Sequence, residues 1–199
     1  TLTGFKFIGE KINEFEEKND YNFLFGYEES YGYLAGTFVR DKDAVISSVL
    51  IVEMAAFYKI KDMTLIDALD EIYRKYGYYS DFLKSYTFKG IDSQNKIKSV
   101  MDKFRNIDEL FKLFSNIIVI EDYNLQKRYN ILLDQDEKIE LPFSNVIKIY
   151  LSDGAWLAIR PSGTEPKLKV YFSTVAKSSD ESHKNMFELR NKISKIIKL

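Results

Sequence analysis

The sequence of 199 residues lacks several features on which particular classes of protein depend. It has no cysteine, which excludes disulfide bonds and thiolate metal ligands and fits a reducing compartment. Its single histidine, His183, argues against a histidine-rich metal centre and against a Ser-His-Asp triad. The net charge is only −1, and no apolar run approaches the roughly 20 residues of a membrane span. We therefore expect neither nucleic acid nor a membrane as a partner.

The residues that are present indicate a folded protein. Hydrophobic residues make up 45% of the chain and charged residues 30%, which is typical of a globular composition. The length suits one or two domains with a real core. The opening segment Thr1–Lys6 has no start signal and no signal-peptide pattern. We expect a cytoplasmic protein and a fragment that begins inside a domain.

The first half of the chain is predicted to alternate between helices and strands. Its elements are a helix over residues 7–18, a buried strand Tyr21–Phe25, a largely irregular segment Tyr27–Gly36, and a helix from Ala44 to about Tyr58. This second helix is apolar almost all round, so we expect it to be deeply buried. Thr64 and Asp67 form a capping-box pattern that opens a third helix, which ends near Gly77. The alternation predicts an α/β layered domain.

The second half is predicted to be a compact α+β domain. Tyr78–Gly90 is aromatic and lacks clear periodicity, so we place a boundary there, which gives domains of residues 1–85 and 86–199. Beyond it the predicted elements are a helix beginning at Asp92, strands at Ile117–Ile120, Val146–Leu151, Ala155–Arg160 and Lys167–Phe172, and a final helix over about Asp180–Leu199.

The loop Arg160–Pro166 joins two predicted strands and has the chemistry of a phosphate-binding segment. The guanidinium group of Arg160 can hold phosphate oxygens through two hydrogen bonds, and Ser162 and Thr164 add hydroxyl groups. Gly163 permits a turn that directs successive N–H groups at one anion. An ordinary strand connection has the same composition, so these residues alone leave both interpretations open.

Two further segments carry charged residues that suit a sugar ligand. Gly26–Gly32 includes Glu28 and Ser30, whose side chains can hydrogen-bond sugar hydroxyls, although a solvated acidic turn is the simpler interpretation. Arg40–Asp43 precedes the long helix. Its Lys42 either points into the same cleft as Glu28 or belongs to a helix cap with surface ion pairs.

Together these segments resemble the α-D-phosphohexomutase superfamily of phosphoglucomutases and phosphomannomutases. Arg160–Pro166, which runs on into Lys167–Phe172, is similar to the phosphate-binding loop of that family's fourth domain. Gly26–Gly32 resembles the sugar-recognition loop of the third domain, and Thr3–Lys6 and Arg40–Asp43 also resemble third-domain segments. The segments occur in family order over essentially the whole chain. The resemblance implies an incomplete third domain followed by a fourth domain.

The resemblance also implies roles for individual side chains. Glu28 and Ser30 match residues that hydrogen-bond the sugar, and Lys42 matches a lysine that is a candidate for proton transfer. The residues that match the holders of the non-reacting phosphate are Arg160, Ser162, Gly163 and Thr164, with Lys169 as a further basic contact. Phe5 and Gly32 stand where some members carry histidine, so no role of those histidines transfers to this chain.

The implied parent reaction is reversible transfer of a phosphoryl group between the 1- and 6-hydroxyls of a hexose phosphate, through a bisphosphorylated intermediate. The family's phosphoserine lies in its first domain and its aspartate-rich Mg²⁺ loop in its second, and neither has a counterpart here. Asp134 and Asp136 lack a third acidic ligand, so we assign no metal site to this chain.

We therefore expect a substrate-binding C-terminal part that is inactive without the N-terminal domains of the same polypeptide and their Mg²⁺. The alternatives are a free-standing, non-catalytic phosphosugar-binding module and an interaction domain whose loops have lost their ligands. The intact Arg160–Thr164 motif disfavours the second of these. Phosphomannomutase or phosphopentomutase specificity in the parent also stays open.

Overall fold

The computed structural model describes residues 1–28 and 31–197, and the chain divides into two compact units, Thr1–Glu71 and Ile72–Leu199. The elements of the first unit are α1 (Phe5–Lys18), β1 (Phe25–Glu28), β2 (Gly32–Ala35) and α2 (Ala44–Lys59), and α3 (Leu65–Tyr76) lies across the division. The elements of the second unit are β3 (Tyr78–Thr87), α4 (Ser93–Arg105), α5 (Ile107–Leu113), β4 (Ile117–Asp122), β5 (Lys127–Asn130), β6 (Gln135–Lys138), β7 (Ile147–Leu151), β8 (Trp156–Pro161), β9 (Lys167–Ala176) and α6 (Ser179–Ile197).

The first unit contains an antiparallel hairpin of β1 and β2 that packs against α1. Phe25 is opposite Ala35 at one end of the hairpin, and Glu28 is opposite Gly32 at the other. A small core joins the two elements and consists of Phe5, Ile12 and Leu34, with Ile8 and Phe23 at its edge. This core fixes the orientation of the hairpin, and hence of Glu28 and Gly32, relative to α1.

Two predictions for this region are wrong. Tyr21–Phe25 is not a buried strand, because residues 21–24 have no regular structure and Leu24 is 82% exposed. Tyr27–Gly36 is not mostly loop, because it contributes to both strands of the hairpin. Residues 21–24 are largely aromatic and apolar, which is typical of a buried strand, but of these only Phe23 reaches the edge of the core of the first unit. In Tyr27–Gly36 the glycines are atypical of a strand, and the two strands pair with each other across only a few residues.

The long apolar helix α2 begins where predicted but is not buried. Asp43 caps it, since its Oδ1 accepts hydrogen bonds from the amides of Val45 at 2.8 Å and Ile46 at 3.1 Å. None of its residues is buried within the described chain, and Val45 is 76% exposed. The expectation of deep burial is wrong because hydrophobicity on all sides indicates only that a helix needs an apolar cover. Within the described chain the main contacts of α2 are with β2, which leaves the rest of the helix open.

The capping box at the start of α3 is confirmed. The amide of Thr64 donates to Asp67 Oδ2 at 2.7 Å, and the amide of Asp67 donates to Thr64 Oγ1 at 3.1 Å. Gly77 follows the helix with a φ of 104°, a left-handed conformation that favours glycine at a helix end. The two ends of this helix were therefore readable from local sequence.

A seven-stranded antiparallel sheet in the order β3-β9-β8-β7-β4-β5-β6 forms the second unit. The predicted hairpin of β7 and β8 and the strand β9 are confirmed. Tyr78–Gly90 is not irregular, because Tyr78–Thr87 is the edge strand β3 and pairs with β9 along its whole length. The contacts accordingly divide the chain after Glu71, whereas the sequence pattern places the change of domain near residue 85.

Helices α4, α5 and α6 cover one face of this sheet. Their apolar residues share a single core with alternate residues of the strands, among them Phe104, Leu110, Ile149, Leu157, Ile159, Val170, Phe172 and Ile193. The residues between these strand positions point to the opposite face and are only partly buried, as in antiparallel sheets with one solvated side. Arg160 and Lys169 belong to this second face and are accessible to a ligand. Across residues 1–28 and 31–197, none of the helices combines the length and the apolar character that a bilayer crossing needs.

Candidate functional site

Arg160 and the loop that follows it lie at the end of the β8–β9 hairpin. Arg160 is directly opposite Lys169, so the two side chains project from the same face of the sheet. The amide of Ser162 donates to the carbonyl oxygen of Lys167 at 2.8 Å, which closes the base of the loop. Residues 163–166 form its exposed tip. The loop is therefore held at its base and open at its tip.

Arg160 and Lys169 have no carboxylate within ion-pair distance among the residues that the structure describes. The acidic residue of the loop, Glu165, instead binds Lys167, whose Nζ lies 2.8 Å from Glu165 Oε1. This hydrogen bond holds the pKa of Glu165 below its ordinary value. Like charges directly opposite one another on a sheet are destabilising, and an anion bound over both cations would relieve their repulsion. The pair thus suits a phosphate group.

Gly163 does not adopt the special backbone conformation that its position in the loop suggests. Its φ lies outside the left-handed region, as do those of all residues from 160 to 166. A Cβ atom at Gly163 would have no neighbour within 4 Å. The glycine therefore leaves open space at the tip of the loop, where a ligand can approach the backbone closely.

The side chains of Glu28 and Lys42 meet beside Gly32 in the first unit. Glu28 ends β1 and is paired with Gly32 at the start of β2. A methyl group on Gly32 would lie 2.6 Å from Lys42 Cγ, closer still to Lys42 Cδ, and 3.3 Å from Glu28 Oε2. The structure thus brings together two of the three residues that the resemblance assigns to the sugar. The third, Ser30, lies outside the described residues.

The ammonium group of Lys42 is held from two sides. Its Nζ donates to Asp41 Oδ1 at 2.7 Å and lies 5.1 Å from the centre of the Phe5 ring. The hydrogen bond to Asp41, with a smaller contribution from the charge of Glu28, raises the pKa of Lys42 above its ordinary value. Lys42 is therefore protonated at neutral pH, and it can donate a proton or stabilise negative charge. It also lines an open groove of about 1160 Å³ along α2, so a ligand can reach it.

The helix-cap interpretation of Arg40–Asp43 is confirmed. Asp43 caps α2, and its amide donates to the carbonyl oxygen of Tyr33 at 2.9 Å, which ties this segment to β2. Lys42, one residue earlier, then extends along the hairpin. Sequence reasoning missed the contacts of Asp41 and Phe5 with Lys42. The adjacency of Asp41 was an available signal, but Phe5 is remote in sequence and offered none.

The predicted site residues fall into two groups within separate units. Glu28 and Lys42 belong to Thr1–Glu71, whereas Arg160, Ser162, Gly163, Thr164 and Lys169 belong to Ile72–Leu199. The first group suits sugar hydroxyls and a proton, since it combines a carboxylate with an ammonium group. The second group suits a phosphate.

The described residues do not fit a magnesium ion. No three His, Asp or Glu side chains are grouped to hold a metal across residues 1–28 and 31–197. Asp134 accepts a hydrogen bond from the Tyr129 hydroxyl at 2.7 Å, and Asp136 pairs with Lys127 at 2.8 Å. These carboxylates are therefore occupied within the β5–β6 hairpin. The Mg²⁺ that the sequence resemblance implies has no ligand set here.

Two family models match the chain. The model for the phosphoglucomutase/phosphomannomutase α/β/α domain III matches residues 1–76, and the model for the C-terminal domain of the same family matches residues 99–188. An α/β layered domain followed by a compact α+β domain is therefore confirmed as the fold class.

Curated relatives from staphylococci are similar to this chain over most of its length. A phosphoglucomutase of Staphylococcus haemolyticus is 46% identical over 173 residues, which cover 86% of this chain and 31% of that protein. A phosphoglucomutase of Staphylococcus epidermidis is 44% identical over 172 residues, with the same two coverages of 86% and 31%. A phosphoglucomutase of Staphylococcus aureus is 41% identical over 180 residues, which cover 90% of this chain and 32% of that protein. The chain thus spans about a third of the length of these relatives and corresponds to their C-terminal part.

A solved structure has the same fold. The open form of pp63/parafusin, a phosphoglucomutase from Paramecium, superposes with a TM-score of 0.66 at 19% identity. The match covers 100% of this chain and 34% of that one.

Proposed function

The chain belongs to the phosphoglucomutase/phosphomannomutase family, and from this premise we propose that it is the substrate-binding C-terminal part of a phosphoglucomutase. The parent enzyme, an intramolecular phosphotransferase of the isomerase class, would interconvert hexose 1-phosphate and hexose 6-phosphate. The chain would hold the substrate for chemistry that the preceding domains of the same polypeptide perform.

The observation that carries this proposal is the pair of cations at Arg160 and Lys169, neither of which has a carboxylate within ion-pair distance among the described residues. Both project from the solvated face of the sheet, directly opposite one another and beside an open loop. Arg160 would hold two oxygens of the substrate's non-reacting phosphate, and Lys169 would neutralise its remaining charge. The hydroxyl groups of Ser162 and Thr164 would complete the site from the loop.

The sugar would be held by Glu28 and Ser30, with Lys42 at the reacting end. The raised pKa of Lys42 keeps its side chain positively charged, which supports a role as stabiliser of negative charge, while proton transfer by Lys42 rests on the family resemblance alone. In each turnover a phosphoserine gives its phosphoryl group to the free hydroxyl of the hexose phosphate, whose proton is released. The bisphosphorylated sugar reorients and returns its other phosphoryl group to the serine, and the sugar oxygen that is freed in this step takes up a proton. This sequence regenerates the enzyme and leaves the product with one phosphate.

This division of labour suits phosphoryl transfer, because that reaction depends mainly on positioning and on stabilisation of charge. The phosphoserine and Mg²⁺ would belong to the preceding domains. Bound there, the metal would neutralise charge on the transferred phosphoryl group. We propose accordingly that the chain alone has no mutase activity and that the parent works in the cytoplasm.

A chimaeric enzyme tests the proposal. The matching third of the Staphylococcus epidermidis phosphoglucomutase is replaced by this chain, so that the relative supplies the preceding domains. We expect the chimaera to convert glucose 1-phosphate to glucose 6-phosphate in a coupled dehydrogenase assay, and the isolated chain to show only background rates. Mannose 1-phosphate and ribose 1-phosphate, assayed in parallel, identify the specificity.

The matched control in the chimaera is Arg128→Ala, which removes the same charge as Arg160→Ala from the same sheet. Arg160→Ala should raise KM for glucose 1-phosphate at least tenfold more than Arg128→Ala does. A folded chimaera without activity on any of these sugars would contradict the enzymatic proposal. Binding of glucose 1-phosphate by that inactive chimaera would favour the non-catalytic module instead.

A further inference from the structure

Lys42 has a long, flexible side chain that runs close to three groups of the first unit. A free lysine gives up about 2 kcal/mol of rotamer entropy when it is held in one conformation. Contacts with neighbouring groups can offset this cost. Lys42 makes three: the ion pair with Asp41, the approach to the ring of Phe5, and the close passage over Gly32.

Gly32 is a buried residue whose backbone does not require glycine. Five glycines of the chain have a positive φ, at positions 4, 36, 77, 90 and 154, and Gly32 is not among them. Its backbone conformation is open to any residue. The space around Gly32, however, has no room for a side chain. The stem of Lys42 occupies that volume, and its Cγ lies 2.6 Å from where a Cβ atom of residue 32 would be. The absence of a side chain at position 32 makes room for Lys42.

Phe5 places a buried aromatic ring near the ammonium group of Lys42. It is only 4% exposed and packs with Ile12 and Leu34 in the small core of the first unit. Its ring is consequently fixed relative to the hairpin. The Lys42 ammonium lies within the range of about 6 Å over which a cation is attracted to an aromatic ring.

We propose that Gly32 and Phe5 are positioning residues that hold the stem of Lys42 beside the carboxylate of Glu28 and its ammonium group at Asp41 and the Phe5 ring. Gly32 provides the passage for the lysine stem, and Phe5 limits how far the head can swing. The inference deepens the proposed function, on which only its catalytic consequence rests. It explains why a small residue at 32 and a lysine at 42 belong together: a side chain at 32 would compete with Lys42 for the same volume.

The first test uses this chain itself and does not depend on activity. Signals of the Lys42 side-chain methylenes are followed by NMR in the unchanged chain and in the Gly32→Ala and Phe5→Leu variants. We expect both substitutions to move these signals toward those of exposed lysines, through displacement of the stem or loss of the ring current. Gly32→Ala should also weaken the cross-peaks between Lys42 and Glu28. Unchanged Lys42 signals in both variants would overturn the proposal.

A double substitution separates the positioning of Lys42 from general damage to the fold. In the Lys42→Ala background the stem is gone, so Gly32→Ala has room apart from the mobile end of Glu28. We expect Gly32→Ala to lower the melting temperature of the chain with Lys42 intact and to have no further effect once Lys42 is alanine. Equal losses in both backgrounds would show that the methyl group disturbs the hairpin and not the lysine.

The catalytic consequence is measured in the chimaera. A displacement of about 1 Å can cost 10²-fold in rate, so Gly32→Ala should lower kcat by about that factor while KM changes less than about threefold. The loss should vanish in the Lys42→Ala chimaera. An unchanged kcat would contradict the catalytic role of this positioning. A chimaera inactive from the outset would count against the proposed function alone, because the NMR test decides the positioning by itself.

Discussion

Replacement of Arg160 should weaken phosphate binding without unfolding the second unit. Its side chain projects from the solvated face, so its removal leaves no cavity in the core. A bound phosphate would take two charge-assisted hydrogen bonds from the guanidinium group, and such bonds contribute about 1.5–3 kcal/mol each in favourable settings. Because the site is partly open to water, we expect a net loss of about 1.4–2.8 kcal/mol for Arg160→Ala. This corresponds to a dissociation constant about ten- to a hundredfold higher.

The conservative variant distinguishes geometry from charge. Arg160→Lys keeps one positive charge opposite Lys169 but loses the planar pair of donors. We expect it to recover only part of the affinity. Lysine restoring binding completely would show that charge alone holds the anion.

The assay is a titration of the isotopically labelled chain with inorganic phosphate and with glucose 1-phosphate, followed through the backbone amides of residues 160–169. Arg128→Ala is the matched control, since Arg128 lies on β5, three strands from β8 in the same sheet. That separation is about 14 Å, beyond the screening length of about 8 Å at physiological salt. Arg128→Ala should therefore leave the affinity nearly unchanged. An equal effect of both alanine variants, or amide shifts confined to another surface, would refute the assignment.

The same sheet supports three further predictions. Lys169→Ala should raise the dissociation constant for phosphate about three- to tenfold, which is less than the effect of Arg160→Ala, because an ammonium group makes a single point contact. If Lys169→Ala has the larger effect in the same titration, the assigned roles are wrong. Burial and the charge of Glu121 raise the pKa of the Tyr150 hydroxyl to about 12, so this proton is lost from the unfolded chain at a lower pH than from the folded chain. After a discount for partial exposure, we expect this difference to contribute about 1 kcal/mol to the free energy of unfolding. The contribution should be present below about pH 10 and be lost as the pH rises through 12. Urea unfolding of the unchanged chain and of Glu121→Gln measures it, and an identical pH dependence in the two would exclude this cause. Leu157→Ala removes a fully buried side chain from the centre of the sheet and should lower the free energy of unfolding by about 2–5 kcal/mol, while the phosphate affinity of the folded chain stays the same.

Local chemistry was sufficient for several parts of the fold. The capping box at Thr64 and Asp67, the apolar stripe of α4 and the turn between β7 and β8 all depend on residues within a few positions of one another. Such interactions hold in almost any tertiary context, so their sequence patterns are reliable guides. The composition of Arg160–Pro166 is local in the same sense, and it is typical of a segment that binds phosphate.

Interactions between distant segments were not readable in the same way. β3 pairs with β9, so that Thr87 lies opposite Lys167. The residues of β3 alone do not indicate a pairing partner that is so distant in the sequence. The exposure of α2 was also invisible, because its sequence shows that the helix needs an apolar cover but not whether this chain provides one. Both features depend on which surfaces meet, and hydrophobicity alone does not specify that.

For the candidate site, too, the sequence specifies the chemical groups and the tertiary structure specifies their positions. The order of the residues specifies which chemical groups are available: a guanidinium and hydroxyl groups on one loop, a carboxylate on another, and a lysine before a helix. Folding places Arg160 opposite Lys169 and brings the stem of Lys42 and the carboxylate of Glu28 beside the same residue, Gly32. The physical reason is that side-chain identity is a local property, whereas strand register and the space beside a glycine are set by backbone segments that meet only in the folded chain.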